Sequence, residues 1–296
     1  MLFTLAVPWS FVARPAHSLV APRAGTADSP AMSMWAPFEA PLVVGTSRPD
    51  GLERLRDVVA SAAVADVIEA RLDLAAARAA APGMSGPSSA TSAALPDLGV
   101  FLPACERLQA AGVPVLLTVR LVADGGRWTD DAGRLLLFER ALATNACSWV
   151  DVEVESSIAT AVVSAAHASG AVVIVSHHDF AGTPDLDVLE ELVDQARRLG
   201  ADLVKIATRV DGVNDHDRLI ELVRRRREDP IAVIGMGPFG TSLRSYLPCV
   251  GSRLTYGFLD ESAAPGQIAA PELVARLVTD CPAYAERRRQ PSLQEA

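Results

Sequence analysis

From residue 42 onward the chain alternates between two kinds of segment. Short, β-branched apolar runs give way to Ala/Leu/Arg stretches with helical spacing. The runs Leu42–Gly45, Asp66–Glu69, Val115–Val119, Trp149–Val154, Val172–Ser176, Leu203–Ala207, Ala232–Gly235 and Leu254–Gly257 read as strands. Helices are expected over Gly51–Ala63, Pro96–Ala111, Asp130–Asn145, Ile158–Ser169, Asp185–Leu199, Asp215–Arg227 and Thr241–Leu247, and over Pro271–Val278 after the last strand. Strands that are apolar throughout and separated by helices predict a parallel sheet covered by helices. Eight such units in about 240 residues match the count and length of a (β/α)8 TIM barrel. The rival architecture, a doubly wound open sheet, usually needs fewer strands. The Ala81–Leu98 segment, rich in Pro, Ser and Gly, reads as an insertion after the second strand.

The ends depart from this rhythm. Met1–Ala13 is apolar with no basic region before it, and the stretch from Arg14 to Pro41 is rich in Pro, Ala and Ser. Residues 1–40 are therefore expected to be a disordered extension, 41–282 the barrel, and 283–296 a polar tail. The formal net charge is -9, which argues against a nucleic-acid partner. The basic runs Arg224–Arg227 and Arg287–Arg289 read as solvated helix ends. No apolar stretch has membrane-spanning length. Four scattered cysteines without a C-x-x-C pair suggest neither a zinc knuckle nor a redox motif, and fit a reducing, cytoplasmic compartment.

Among the 27 Lys and Arg residues a single lysine occurs, Lys205. It lies within the β-prone run A-D-L-V-K-I-A-T, a poor place for a solvated charge. Arginine stays charged at any accessible pH, whereas lysine can lose its proton, act as a nucleophile and form a Schiff base. Other polar groups fall at strand C-terminal ends, where barrels of this kind collect their chemistry. Glu69 and Arg71 follow strand two and point to one side of it. Arg120 follows strand three, with Asp124 in the loop. His177 and His178 end strand five, Arg244 follows strand seven, and Gln267 follows strand eight. A histidine one strand from a Schiff-base lysine is placed to shuttle protons. Several arginines around one mouth imply an anionic substrate, and would lower the pKa of Lys205.

The set E-x-R after strand two, S-x-H-D-F after strand five, V-K-I-A in strand six, G-x-x-x-R after strand seven and A-P-G-Q after strand eight resembles type I 3-dehydroquinate dehydratases. The resemblance covers about residues 40 to 282 and keeps the motif order. It implies a class I aldolase-like barrel, a homodimer without metal or organic cofactor, and conversion of 3-dehydroquinate to 3-dehydroshikimate and water in the shikimate pathway. By position, Lys205 matches the lysine that forms the imine at the substrate's C3 ketone, and His178 the general acid/base. Arg244 matches the carboxylate clamp. Glu69, Arg71 and Arg120 match the groups holding the ring hydroxyls, and Gln267 a contact from the lid loop.

Departures are visible too. Ala263 stands where the family often has Ser or Thr, so any lid hydroxyl must come from Ser262. Asp124 stands where the family often has Glu, which shortens the acid expected to support His178. His177 reads as a neighbour of the catalyst, because Asp179-Phe180 fixes the register. Two other readings fit less of the pattern. One is a class I aldolase acting on a sugar phosphate, with Gly235–Gly240 as its phosphate loop. The other is a non-catalytic sensor of quinate-pathway metabolites.

Overall fold

The computed structural model describes residues 40–48, 52, 64–74, 98–131, 133–262 and 266–289. The helix expected over Gly51–Ala63 (Leu52 apart), the Ala81–Leu98 insertion up to residue 97 and the extension up to residue 39 lie outside these residues. Eight parallel strands form one sheet: β1 (Leu42–Ser47), β2 (Val67–Arg71), β3 (Val115–Thr118), β4 (Trp149–Glu153), β5 (Val172–Asp179), β6 (Leu203–Arg209), β7 (Ile231–Met236) and β8 (Leu254–Phe258). Their hydrogen-bonded order is β7-β6-β5-β4-β3-β2-β1-β8. A single backbone bond from Arg253 N–H to the Ile231 carbonyl (2.7 Å) and one from Val233 N–H to Ser252 Oγ (3.0 Å) tie the β7 and β8 edges. The result is a nearly closed (β/α)8 barrel, as the strand-helix alternation predicts.

Helices α1 (Leu98–Ala110), α2 (Arg134–Ala143), α3 (Ala159–Ser169), α4 (Leu186–Arg198), α5 (Val213–Arg225), α6 (Leu243–Val250) and α7 (Ala270–Asp280) form the outer layer. Each buries one stripe. In α4 the stripe is Leu189, Val193 and Ala196, spaced four and three residues apart as a helix requires. Asp187 in its first turn and Arg197 and Arg198 in its last complement the helix dipole. Among the described residues no helix is long and apolar enough to cross a membrane, and no cluster of three or more His, Cys, Asp or Glu is placed to hold a metal.

Strand residues alternate between two cores. Ile68, Leu117, Val150, Val173, Val204 and Val233 face outward against the helices. Leu42, Val67, Leu116, Trp149, Val172, Leu203 and Leu254 fill the barrel interior. The apolar interior belongs to the N-terminal halves of the strands. Farther along the same inward rows the residues become Thr46, Glu69, Thr118, Asp151, Ser176 and Lys205, all buried.

Four strands run longer than expected: β2 reaches Arg71, β5 reaches Asp179, β6 reaches Arg209, and β7 reaches Met236, which is apolar and packs in the barrel interior. At the ends of β2 and β5 polar side chains find partners, Asp73 for Arg71 and Arg120 for His178, so the ladder continues where hydrophobicity stops. The C-terminal tail is the larger correction. Residues Pro282–Arg289 form a further helix, α8, with Tyr284 fully buried among Val43, Leu273 and Leu277. Tyr284 Oη donates to Asp66 Oδ2 (3.0 Å), and Arg287 and Arg288 pair with Asp66 Oδ1 at 2.6 and 3.0 Å. Two of the three arginines expected to be solvated thus anchor the helix to the start of β2.

Candidate active site

Register alone brings the polar groups together. Thr46 lies beside Glu69, Arg71 beside Thr118, Thr118 beside Asp151, and Ser176 beside Lys205. Because inward residues recur every second position, these side chains share one layer above the apolar interior. Above them opens a cavity of about 210 Å³. Lys205, His178, Glu69, Arg71, Arg120, Arg244, Gln267 and Asp124 all line it. Ser262 does not line it and is exposed, while Ala263 and Pro265 lie outside the described residues.

At its floor, Lys205 is 6% exposed and its Nζ lies 3.0 Å from Asp151 Oδ2. Asp151 Oδ1 accepts from Ser176 Oγ at 2.6 Å and pairs with Arg120 Nη2 at 2.9 Å. Burial alone would raise the Asp151 carboxyl, but Arg120 and Lys205 hold it well below the usual carboxylate range. For Lys205, burial is the largest influence and Arg120 adds to it. Together they outweigh Asp151 and bring the ammonium below its ordinary value. This is the shift an amine nucleophile needs.

Beside the lysine, Glu69 accepts from Thr46 Oγ1 (2.7 Å) and Thr118 Oγ1 (2.9 Å), which fixes its carboxylate. Arg71 lines the cavity and is held by Asp73 through Nε and Nη2, both at 2.8 Å. Arg120 emerges from β3 into a loop that folds back on it. Trp128 N–H donates to its carbonyl (3.0 Å), and Gly126 packs so close that a Cβ would meet that carbonyl oxygen at 2.1 Å.

The two adjacent histidines part, as strand alternation demands. His177 turns outward to the rim, its Nδ1 2.5 Å from Glu155 Oε1, and does not line the cavity. His178 faces in. Arg120 Nη1 lies against its ring, 2.6 Å from Nδ1 and closer still to Nε2. Burial first, then Arg120 and Lys205, push His178 well below its ordinary value. At neutral pH it is therefore a free base. Phe180 stacks with the His178 ring (centroids 6.4 Å, planes 15° apart) and covers Gly125. Among the described residues the hydrogen-bond partner of the His178 ring is Arg120, not Asp124. Burial and then Glu153 push Asp124 up to about 6.

Across the cavity Arg244 is 3% exposed. Its Nη1 donates to the Tyr256 carbonyl at 3.2 Å, and its buried Nε has no partner among the described residues. Burial lowers it to about 10, and no carboxylate offsets that effect. A buried guanidinium without a counter-charge is a socket for an anion. Gln267 Nε2 reaches Thr46 Oγ1 at 3.4 Å, joining the segment after β8 to β1. The glycines of G-M-G-P-F-G serve packing: Gly240 abuts the Gly235 backbone, where a Cβ would meet Gly235 C at 2.4 Å.

The site also contains groups that strand-end position does not single out: Asp151, Glu153, Thr46, Asp73 and Tyr256. The signal was present for two of them. Asp151 and Glu153 alternate within the apolar strand W-V-D-V-E, the same anomaly that singles out Lys205. Glu153 Oε2 accepts from the fully buried Arg134 at 2.5 Å.

This arrangement is a charged, preorganised layer beneath an open mouth, with a lysine, a neutral imidazole and an unanswered arginine. Comparison with known proteins agrees with it. The type I 3-dehydroquinase family profile matches residues 42–280. The chain belongs to the type I 3-dehydroquinase family. It is thereby a hydro-lyase. A 3-dehydroquinate dehydratase of Thermodesulfovibrio yellowstonii is 33% identical over 162 residues, which cover 55% of this chain and 70% of that one. One from Methanosarcina barkeri is 31% identical over 218 residues, 71% of this chain and 83% of the other. The crystal structure of 3-dehydroquinate dehydratase from Geobacillus kaustophilus superposes with a TM-score of 0.68 at 25% identity, over 81% of this chain and 91% of that one.

Proposed function

We propose that this 3-dehydroquinase eliminates water from 3-dehydroquinate through an imine on Lys205. The observation that carries the reading is the placement of the chain's single lysine. It is buried, depressed in pKa, 3.0 Å from Asp151, and lines one cavity with a neutral histidine. In this scheme Lys205 attacks the C3 ketone, and the carbonyl oxygen leaves as water. The resulting iminium draws electrons from the adjacent C2–H bond. His178, unprotonated at rest, takes that proton and returns it to the C1 hydroxyl, which departs as water and leaves the C1–C2 double bond. Hydrolysis of the imine then frees 3-dehydroshikimate and Lys205.

The other groups divide the binding. Arg244 takes the substrate carboxylate. Glu69 as acceptor and Arg71 and Arg120 as donors take ring hydroxyls. Gln267 closes from above, where exclusion of water protects the iminium. Asp124 acts from the rim on the charge around His178. The same reading places the enzyme in the shikimate pathway, in the cytoplasm, as a homodimer without a metal or organic cofactor.

Intact mass after mixing protein with 3-dehydroquinate and borohydride tests the scheme. A borohydride-dependent adduct of ligand size on the wild type, absent from Lys205→Ala, is expected. A folded wild type that gives no adduct with authentic ligand would sink the imine mechanism.

A further inference from the structure

Tyr256 lies on β8, inside the barrel, 5% exposed, with Lys205 Nζ over its ring at 4.4 Å from the centroid. The lysine thus sits between a carboxylate and a ring face. The carboxylate is shared, since Asp151 also receives Ser176 and Arg120. The ring face has no competing cation among the described contacts of Tyr256. Among the described residues the buried Tyr256 hydroxyl has no hydrogen-bond partner, so the contact seen at this position is the one made by the ring.

Imine formation changes what Nζ can offer. An ammonium carries three N–H donors, whereas a protonated imine carries one. The hydrogen bond to Asp151 then depends on the orientation of a single N–H. Attraction to a ring face needs no donor and follows the positive charge itself. Resting on the imine reading above, we propose that Tyr256 is a further catalytic residue, whose ring face holds the cation on Nζ as ammonium and as iminium.

The single lysine makes the test direct. Protein labelled with 13Cε/15Nζ lysine gives one side-chain signal, whose titration midpoint belongs to Lys205. The other charged groups facing Lys205 are Asp151 from β4, Arg120 after β3, Glu69 from β2 and His178 from β5, and all stay in place. Tyr256→Phe serves as the reference, keeping the ring and removing the hydroxyl. Replacing Tyr256 by 3,5-difluorophenylalanine and then by pentafluorophenylalanine drains the ring face at nearly constant size, so the barrel interior stays filled.

Relative to Tyr256→Phe, the midpoint is expected to fall stepwise along the series, by about half to one pKa unit at the end. The kcat for 3-dehydroquinate should fall in the same order, by roughly 3- to 10-fold, with KM little changed. A flat series overturns the proposal. So does a Tyr256→Phe variant as impaired as the pentafluoro protein, which would give the role to the hydroxyl. Borohydride trapping of the wild type is scored separately. If it fails while the ligand-free midpoints still fall in order, the ring contact stands for the ammonium and the imine reading alone is lost.

Discussion

The two walls of the cavity are built on opposite electrostatic plans. On the side of β1 to β6, charges and polar groups answer one another. Glu69 is held by two threonines, Arg71 by Asp73, Arg120 by Asp151, and Arg134 beneath them by Glu153. On the side of β7 and β8, Ile234, Met236 and Tyr256 are apolar or neutral, and among the described residues Arg244 donates to a main-chain carbonyl and meets no carboxylate. The first wall is preorganised: its dipoles are already oriented when substrate arrives, so little reorganisation accompanies reaction. The second wall leaves a buried charge unanswered. Under the proposed function, the first wall would do the chemistry while contributing to the fold, and the second would forgo stability for binding, a trade common at functional sites.

Removing the centre of the first wall should have the largest effect. Lys205→Ala is expected to lose at least about 10⁴-fold in kcat, because no other group replaces the nucleophile. Lys205→Arg sharpens the point. It keeps a cation against Asp151 but cannot form an imine, and should be equally inactive. Turnover within tenfold of wild type in either variant, measured by formation of the conjugated enone, would remove Lys205 from the chemistry.

Arginine substitutions on the two walls should then behave in opposite ways. Arg244→Gln is expected to lower kcat/KM by roughly 10- to 100-fold, the worth of charge-assisted hydrogen bonds to a carboxylate. Its Tm should hold or rise, since a buried unpaired charge is removed. Arg120→Gln strips Asp151 of one partner and should cost about 3 kcal/mol or more in urea unfolding. Equal destabilisation by both would break the contrast between the walls.

Asp151→Asn separates stability from nucleophilicity within the first wall. The Asp151 carboxyl is depressed in the folded state, so it contributes stability above its unfolded pKa of about 3.9. That contribution is lost as pH falls through the lower folded value. The variant should therefore be less stable than wild type at pH 7, by about 3 kcal/mol, with the gap narrowing in acid. His178 acts in the same direction over a higher window. Its folded pKa lies well below 6.5, so protonation favours the unfolded chain and stability drops as pH falls below about 6.5. Urea midpoints of His178→Gln should lack that upper part of the acid decline.

How much of this was legible in the sequence follows from what each feature depends on. The barrel was legible because eight apolar strands repeat a local pattern, Lys205 because it is the one lysine and stands inside an apolar run, and His178 because strand-end position and alternation fix where it points. Asp151 was hidden only by the rule that catalytic groups follow strands. It lies inside one, and its partners come from β3, β5 and β6, which no local spacing reveals. Tyr256 was invisible for a different reason: an inward tyrosine looks like core until the lysine is seen above it. The helix at Pro282–Arg289 was missed because its composition is polar and its anchoring is almost entirely one tyrosine and one distant aspartate, Asp66.

The smallest effect concerns Asp124, which departs from the pattern of its own wall. Burial and the nearby Glu153 push its carboxyl up to about 6, against the pull of Arg120. An acid whose pKa is raised on folding binds its proton more tightly in the folded state. Between the unfolded value of about 3.9 and the folded one, stability therefore falls as pH rises, and the full cost is present above about pH 6. A two-unit shift corresponds to roughly 3 kcal/mol, but Asp124 is half-exposed and solvent screens its charge, so about 1 kcal/mol is the expected size. Asp124→Asn should thus stabilise the protein by about that amount at pH 7 and by almost nothing near pH 4. Paired urea titrations at the two pH values decide it. A gain at both would point to packing, whereas a loss at pH 7 would mean that Asp124 is answered by a cation like its neighbours and that the first wall has no exception.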